Sequence, residues 1–346
     1  MSRVLEIDID NPSWNEYVNK SEKFDFYHTA SYHVLETTSN NFRPLLFIVE
    51  QGGNFIGLPL VIREIDGSSY FDCTSTYGYV GALSNLSFSE IPETLISSFQ
   101  QELDAFFKRE NVVAAFSRLH PLIASEKVFQ EYGAIREVNK TVAIDLAKTP
   151  EEQRQQYRKS NKSEINQLRK KKGYSVIEAT SEDQLKVFVE IYKETMNRVE
   201  ASQYYYFDEA YFRSILTAPD YDTKLLLAMK EGEITAGAIF TIANGFMQYH
   251  LAGTKEDYVY DTPMKLILDE ARLIANELGL ELLHLGGGVG GSDEDSLFRF
   301  KSGFSKDFFQ FKTWQYIASK TKYDELAAQN GVENSDYFPI YRAPKQ

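Results

Sequence analysis

Residues 45–62, LLFIVEQGGNFIGLPLVI, and residues 225–242, LLLAMKEGEITAGAIFTI, align without a gap at a constant offset of about 180. Gly52 meets Gly232, Gly57 meets Gly237, and apolar runs meet apolar runs. Each copy reads as a β-hairpin: an apolar strand, a polar turn containing glycine, and a second apolar strand. A chain that carries such a unit twice must bury two similar apolar faces. Its 346 residues are enough for two domains, each able to build its own core.

The similarity extends beyond the hairpins. A third strand follows each one, SYFDCTST in the first half and FMQYHLAGT in the second. Pro92 then opens IPETLISSFQQELDAFFKREN, and Pro263 opens TPMKLILDEARLIANELG. Both segments space their apolar residues helically, with proline near the first helical position and Thr262 as a candidate N-cap. Short strands follow at 112–119 and 281–288, then the aromatic-glycine turns EYGAIRE and KSGFSKD, then closing strands at 140–146 and 309–317. Hairpin, strand, helix, strand, strand is the order of the GNAT acyltransferase fold. The expected architecture is therefore mixed α/β (α+β), with two tandem GNAT-like domains at 1–148 and 149–346. Two such sheets are expected to meet along a cleft, a common seat for ligands.

The second half carries an insert with no counterpart in the first, EEQRQQYRKSNKSEINQLRKKKG at 151–173. Within 154–172 eight Lys/Arg face one acid, Glu164, for a net charge of about +7. The whole chain has 37 Lys+Arg and 50 Asp+Glu, a formal charge of −13, so the remainder is near −20. That balance excludes a protein coated in nucleic acid over its whole surface but leaves room for one basic strip. Arg154, Arg158 and Lys162 recur every four residues, which puts them on one face of a helix, while Tyr157, Ile165 and Leu168 can dock it. The strip reads either as a solvated helix or as a footprint for polyphosphate, RNA or an anionic membrane surface.

Other classes are excluded by what the sequence lacks. Cys73 is the sole cysteine, so there is neither an internal disulfide nor a cysteine-based zinc site, and no metal-ligand spacing occurs elsewhere. No apolar run approaches a membrane span, and MSRVLEIDIDNPSW is interrupted by acids, unlike a signal peptide. A cytoplasmic protein is expected, with contact to the inner membrane face limited to its periphery.

After strand YSVIEAT a single helix is expected over 185–216, amphipathic through Phe188, Ile191, Tyr192 and Thr195. Asn197, Arg198 and Tyr204 to Phe207 then gather polar and aromatic groups, either as a packed helix end or as a wall over the cleft. The loop GGGVGGSDEDSLFRFKSGF, 286–304, fits neither a Rossmann fingerprint nor a P-loop. Lys301 lies among Phe298, Phe300 and Phe304, which suits either a desolvated, ligand-facing lysine or a surface lysine lying over rings. Arg118 and His120 stand in FSRLHP at the end of the equivalent strand in the first half, and His250 in QYHLAGT reads as a core histidine. The glycine-rich pyrophosphate loop usual before the long GNAT helix is missing; KEDYVYDTPM and NLSFSEIPET stand in its place.

Three stretches together resemble the FemABX family of tandem-GNAT aminoacyltransferases: RQQYRKSNKSEINQLRKKKGY, YKETMNRVEASQYYYF and LFRFKSGF. The ending YDELA…YFPIYR is similar to a related GNAT-like or BioF2-like branch. The resemblance implies amide formation, in which an amine of a peptidoglycan precursor, lipid-linked or carried on a sugar nucleotide, attacks an amino-acid ester on tRNA. Lys301 matches the family's functional lysine and would face the tetrahedral oxyanion. Arg118 and His120 would line the acceptor site, Arg154 and Arg158 would meet phosphates or the tRNA end, and Tyr206 and Tyr249 would wall the cleft. Arg198 and His250 complete the expected substrate-binding set. No tightly bound cofactor is implied. Two other readings stand beside this one: an acyl-CoA-dependent N-acyltransferase acting on an amino sugar or surface-polysaccharide intermediate, and a non-catalytic binding protein.

Overall fold

In a computed structural model of the chain, residues 2–38, 42–289, 294–331 and 335–344 are described. Contacts group the chain into two units, one formed by 1–138 with 310–346 and the other by 139–309. The first begins with β1 (Arg3–Asp8), α1 (Ser13–Lys20), α2 (Ala30–Thr37), β2 (Arg43–Gln51), β3 (Asn54–Glu64) and β4 (Phe71–Thr74). It continues through β5 (Leu83–Ser84), α3 (Glu93–Arg109) and β6 (Val112–Leu119) to β7 (Ala134–Asp145), whose second part belongs to the other unit. That unit contains α4 (Pro150–Gln155), α5 (Lys159–Lys170), β8 (Tyr174–Glu178), α6 (Glu182–Arg198), α7 (Glu209–Leu216), β9 (Asp222–Lys230) and β10 (Glu233–Ala243). It ends with β11 (Phe246–Thr254), α8 (Met264–Glu277), β12 (Leu282–Gly287) and α9 (Ser296–Lys301). The chain closes with β13 (Asp307–Ile317) and α10 (Lys320–Asn330).

The repeat is visible strand by strand. In the first unit β1, β2, β3 and β4 pair antiparallel in that order, β4 pairs parallel with β6, and β6 pairs antiparallel with β13. In the second, β8, β9, β10 and β11 pair antiparallel, β11 pairs parallel with β12, and β12 pairs antiparallel with β7. Both hairpins turn in two residues of positive φ, Gly52–Gly53 and Glu231–Gly232. That geometry matches the right-handed twist of the flanking strands and favours glycine. The two units are the tandem GNAT-like folds expected from the sequence.

Each repeat gives its closing strand to the other's sheet. The first repeat's last strand runs beside β12, Thr141 opposite Gly287 and Asp145 opposite Leu282. The second repeat's last strand runs beside β6, Lys312 opposite Leu119 and Ile317 opposite Ala114. A break at 148/149, with everything beyond it in the second half, does not describe this grouping: 139–148 belongs with the second unit and 310–346 with the first. The C-terminal YFPIYR stretch serves the first unit, where Arg342 donates to the buried Asp72 and to the carbonyl of Glu64. Arg63 donates to the other oxygen of Asp72, so that buried carboxylate is doubly paired.

The cores follow the amphipathic helices. α3 buries Leu95, Phe99, Leu103 and Phe106, with Phe47 of β2 5.2 Å from Phe106 between centroids. In the second unit α8 buries Leu266, Ile267, Ala271 and Ala275 together with Ile165 and Leu168 of α5 and Leu283 and Leu285 of β12. Truncating one such side chain to alanine costs roughly 2–5 kcal/mol.

Three local expectations change. The expected helix at 185–216 is two: α6 ends in a turn where Glu200 has φ 49° and Ala201 N–H donates to the carbonyl of Met196, and Asp208 then caps α7. A non-glycine residue at a left-handed helix end is hard to read from sequence. The basic insert is also two helices, parted at Arg158, whose extended backbone donates to the carbonyl of Gly303. Thr262 does not cap α8; its φ is 58°, and its hydroxyl donates to Glu164. No described helix is long and apolar enough to cross a membrane.

Candidate active site

The parallel register of β11 and β12 pairs Phe246 with Leu282, Met247 with Leu283 and Gln248 with His284. Beyond those pairs β11 continues beside β10 and β12 beside β7. Two parallel strands that part in this way leave a mouth between them at their C-terminal ends, where α/β sheets place ligands. A buried pair stands at the fork: His284 Nδ1 and Gln248 Oε1 are 2.6 Å apart. Just beyond it β11 carries a bulge, since Tyr249 pairs with Phe240 and Leu251 with Ile239, leaving His250 as the extra residue. Bulges re-aim side chains and are frequent beside active sites. His250 is therefore the irregular residue of the strand at the fork, not a plain core histidine.

Lys301 ends α9 and is only 7 % exposed. Its Nζ donates to the carbonyl of Gly287, the last residue of β12, at 2.8 Å. The same nitrogen lies 5.7 Å from the centroid of the Tyr249 ring. Burial disfavours the ammonium and brings its pKa down to about 7, against an opposing pull from Asp295. Asp295 in turn caps α9, accepting from Phe298 N–H at 2.8 Å. Of the two sequence readings, a lysine lying over surface rings is thus set aside in favour of a desolvated one. Burial likewise holds the Tyr249 phenol well above its usual range, so it stays protonated. Lys301 is brought to Tyr249 and to the carbonyl of Gly287, and Gln248 meets His284 on the same two strands; Gly287, Gln248 and His284 were not singled out from the sequence. QYH and HLGGG carried Gln248 and His284 in plain view; their meeting depends on the register of two strands. Gly290, Gly291, Ser292 and Asp293 of the glycine-rich loop lie outside the described residues.

Three of the eight basic residues of the insert, Arg154, Arg169 and Lys172, are paired with acids of its own unit. Arg154 donates to Asp269 at 2.9 Å and to Asn166. Arg169 reaches Asp269 and Glu270, and Lys172 reaches Asp261. Asp269 is fully buried and also accepts from Arg272, whose Nε donates to Tyr157. Arg154 is thus a partner of a buried carboxylate and not a free phosphate ligand. Arg154, Arg158 and Lys162 do not share one continuous helical face, because α4 and α5 are separate and Arg158 binds Ser302 Oγ at 2.8 Å.

The N-terminus of α8, where a GNAT pyrophosphate would be sought, already holds anions. Glu164 of α5 accepts from Thr262 Oγ1 at 3.0 Å and from Lys265 Nζ at 2.5 Å. Burial works against its charge, yet these two donors hold its pKa below the usual carboxylate value. Asp261 accepts from Lys172, Tyr174 and Lys230 and is brought down to about 2, chiefly by the first two. Residues so arranged fit a pyrophosphate poorly, because both carboxylates would repel a second anion brought beside them. Among the described residues no group of three or more His, Cys, Asp or Glu is placed to hold a metal ion.

The remaining candidates fall elsewhere. Arg198 ends α6 and donates to the carbonyl of Thr254 at 3.0 Å, tying down the far end of β11. Tyr206 follows a short 3-10 turn and is 37 % exposed. In the first unit His120 is 2 % exposed, with Nε2 3.1 Å from Asp25 Oδ2 and Nδ1 accepting from Leu122 N–H. That ring is a buried structural group, so it presents no surface to an acceptor. Arg118 lies half-buried over the rings of Phe116 and Tyr77, at 5.2 and 5.8 Å, and its guanidinium forms no ion pair among the described residues.

Comparison with known proteins agrees with the fold. A family model described as an acetyltransferase (GNAT) domain matches residues 155–302. No curated protein sequence matches the chain. Among solved structures, FemX is similar with a TM-score of 0.73 at 15 % identity, over 93 % of this chain and 99 % of that one. The C-terminal domain of a putative lysylphosphatidylglycerol synthetase from Agrobacterium fabrum has a TM-score of 0.57 at 12 % identity, over 92 % and 95 %. A tandem GNAT protein from the clavulanic acid biosynthesis pathway has a TM-score of 0.51 at 9 % identity, over 92 % and 99 %. A GNAT acetyltransferase domain thus runs from within the basic insert to just past Lys301, and the chain is an acyltransferase built on two tandem GNAT-like units.

Proposed function

We propose that the chain forms an amide bond on a cell-envelope precursor, taking an aminoacyl ester as donor, with Lys301 as the catalytic residue. The observation that carries this reading is the buried Lys301 ammonium at the fork of β11 and β12, held on the carbonyl of Gly287 beside the Tyr249 ring. The acceptor nitrogen adds to the donor carbonyl carbon, the ester C–O bond breaks, and the alcohol leaves with the proton that the amine gives up. Negative charge gathers on the carbonyl oxygen between these events. A water-poor lysine meets that charge strongly, because little solvent competes with it. With a pKa of about 7, its neutral form can also accept the amine's proton. Likeness to FemX across nearly the whole chain supports the choice of a peptidoglycan precursor, and the anions fixed at α8 weigh against a pyrophosphate-bearing donor. Arg118 is the cation we propose for an anionic acceptor in the first unit.

The matched GNAT domain favours a second reading, N-acylation of an amino sugar from acyl-CoA. One experiment separates the two. Charged tRNA with lipid II or a UDP-MurNAc-peptide is expected to give an amide product, and acetyl-CoA to leave the melting temperature unchanged. A ligand at about 100 times its Kd adds about 2.7 kcal/mol, so a clear shift with millimolar acetyl-CoA and no aminoacylated product overturns the first reading.

A further inference from the structure

The residues joining α4 to α5 meet the turn that follows Lys301 group by group. Arg158 N–H donates to the carbonyl of Gly303 at 2.9 Å, and its guanidinium to Ser302 Oγ at 2.8 Å. Gln156 Oε1 accepts from both Ser305 Oγ and Lys306 N–H, at 3.0 and 2.8 Å. Its Nε2 donates to Asp307 at 3.3 Å. Between them the Tyr157 ring stands edge-on to Phe304, 5.1 Å between centroids. A Cβ at Gly303 would lie 2.5 Å from Asn161 Nδ2 of α5, so a larger residue there would have to push that side chain aside.

A lysine carries its charge on four rotatable bonds, and useful chemistry needs that charge placed within about 0.5 Å. α9 has six residues, far fewer than the roughly 12 at which a helix begins to hold by itself. Its first turn is capped by Asp295, and its last is gripped from the α4–α5 junction. We infer that Gln156 and Arg158 are positioning residues for Lys301, so that RQQYRKSN serves the reaction by fixing where the lysine stands. This rests on reading Lys301 as catalytic.

Competitive labelling with acetic anhydride, followed by mass spectrometry of the peptide carrying Lys301, tests the inference without a substrate. The groups facing the ammonium are Asp295 at the N-cap of α9, the Tyr249 ring of β11 and the Gly287 carbonyl of β12. In the parent, labelling rises through a midpoint near pH 7. Arg158→Ala and Gln156→Ala are expected to raise that midpoint by a unit or more and to lower kcat about tenfold, with KM changed less than about threefold. Arg158→Lys, which keeps a donor for Ser302, is expected to restore the parent midpoint. Should Arg158→Ala not fold, Ser302→Ala removes only the partner atom and carries the same expectation. A parent-like midpoint in the alanine variants, or a kcat loss with the midpoint unmoved, overturns the inference. Full turnover in Lys301→Met overturns the catalytic reading instead, and the labelling result still decides the positioning.

Discussion

Lys301 Nζ donates to the carbonyl of Gly287, joining the last residue of α9 to the last residue of β12. β12 has by then passed its pairs with β11, so the ammonium stands at an open fork and not against a closed ladder. Removing it is the most direct test of function. Lys301→Met is expected to lower kcat by about 10²-fold or more, the usual loss for one group that stabilises an oxyanion. Steady-state kinetics with a parent-like circular dichroism spectrum checks this.

The same substitution changes stability with a definite sign. The lysine's pKa is about 7 in the folded chain and near its ordinary 10.5 when unfolded. Between those values the unfolded state binds more protons, so this group's contribution to stability rises with pH. The cost of burying the ammonium is full below about pH 7 and vanishes near pH 10.5. Lys301→Met is therefore expected to be more stable than the parent at pH 6.5, by up to about 4 kcal/mol, with the gain shrinking by pH 10. Urea melts at the two pH values decide it; an equal difference at both counts against a charged, buried lysine.

Tyr249 separates packing from hydrogen bonding. Tyr249→Phe keeps the ring beneath Lys301 and is expected to retain kcat within about threefold. Tyr249→Ala removes a contact worth roughly 0.5–2 kcal/mol and admits water, so kcat is expected to fall about tenfold. Similar losses in both variants point to the hydroxyl as the working group.

Glu164 tests the occupied N-terminus of α8. In the parent, millimolar coenzyme A is expected to leave the melting temperature unmoved. Glu164→Gln removes the resident charge while keeping an acceptor for Thr262 and Lys265, so coenzyme A is expected to bind measurably in calorimetry. Tight binding to the parent contradicts this.

Acid acts first on the first unit. Burial brings His28 down to about 4 and His33 to about 3, so both stay neutral in the folded chain well below the ordinary value of 6.5. Folded pKa values below the unfolded ones give stability that is present above about pH 6.5 and lost as pH falls toward 4. Denaturation at pH 7 and 4.5 is expected to differ by about 2 kcal/mol for each imidazole. His33→Gln, which can still donate to Thr29, is expected to reduce the difference.

Much of the fold was legible because it depends on short-range patterns. Apolar alternation marked the hairpins, but the turns match Gly53, not Gly52, with Gly232, because a bulge in β10 between Ile234 and Ala236 adds one residue before Gly237. Helical spacing after Pro92 and Pro263 marked α3 and α8. The site was legible only in part. Lys301 among phenylalanines was visible, but its burial and its Gly287 partner come from a loop folding back onto β12. Charge counting also left the surroundings of Arg154 out of view, because a count cannot know that Asp269 of α8 will face it.

By itself the sequence determined two repeats of one α/β unit and a segregated basic segment, since turn chemistry and apolar period act over a few residues. The tertiary structure alone decided which sheet received each closing strand, which basic residues kept their charge free, and which lysine lost its water. Those outcomes depend on strand register and on groups more than a hundred residues apart, such as Arg154 with Asp269 and Arg158 with Ser302. The free energy of a buried charge is set by its neighbours in space, and the order of residues along the chain does not list them.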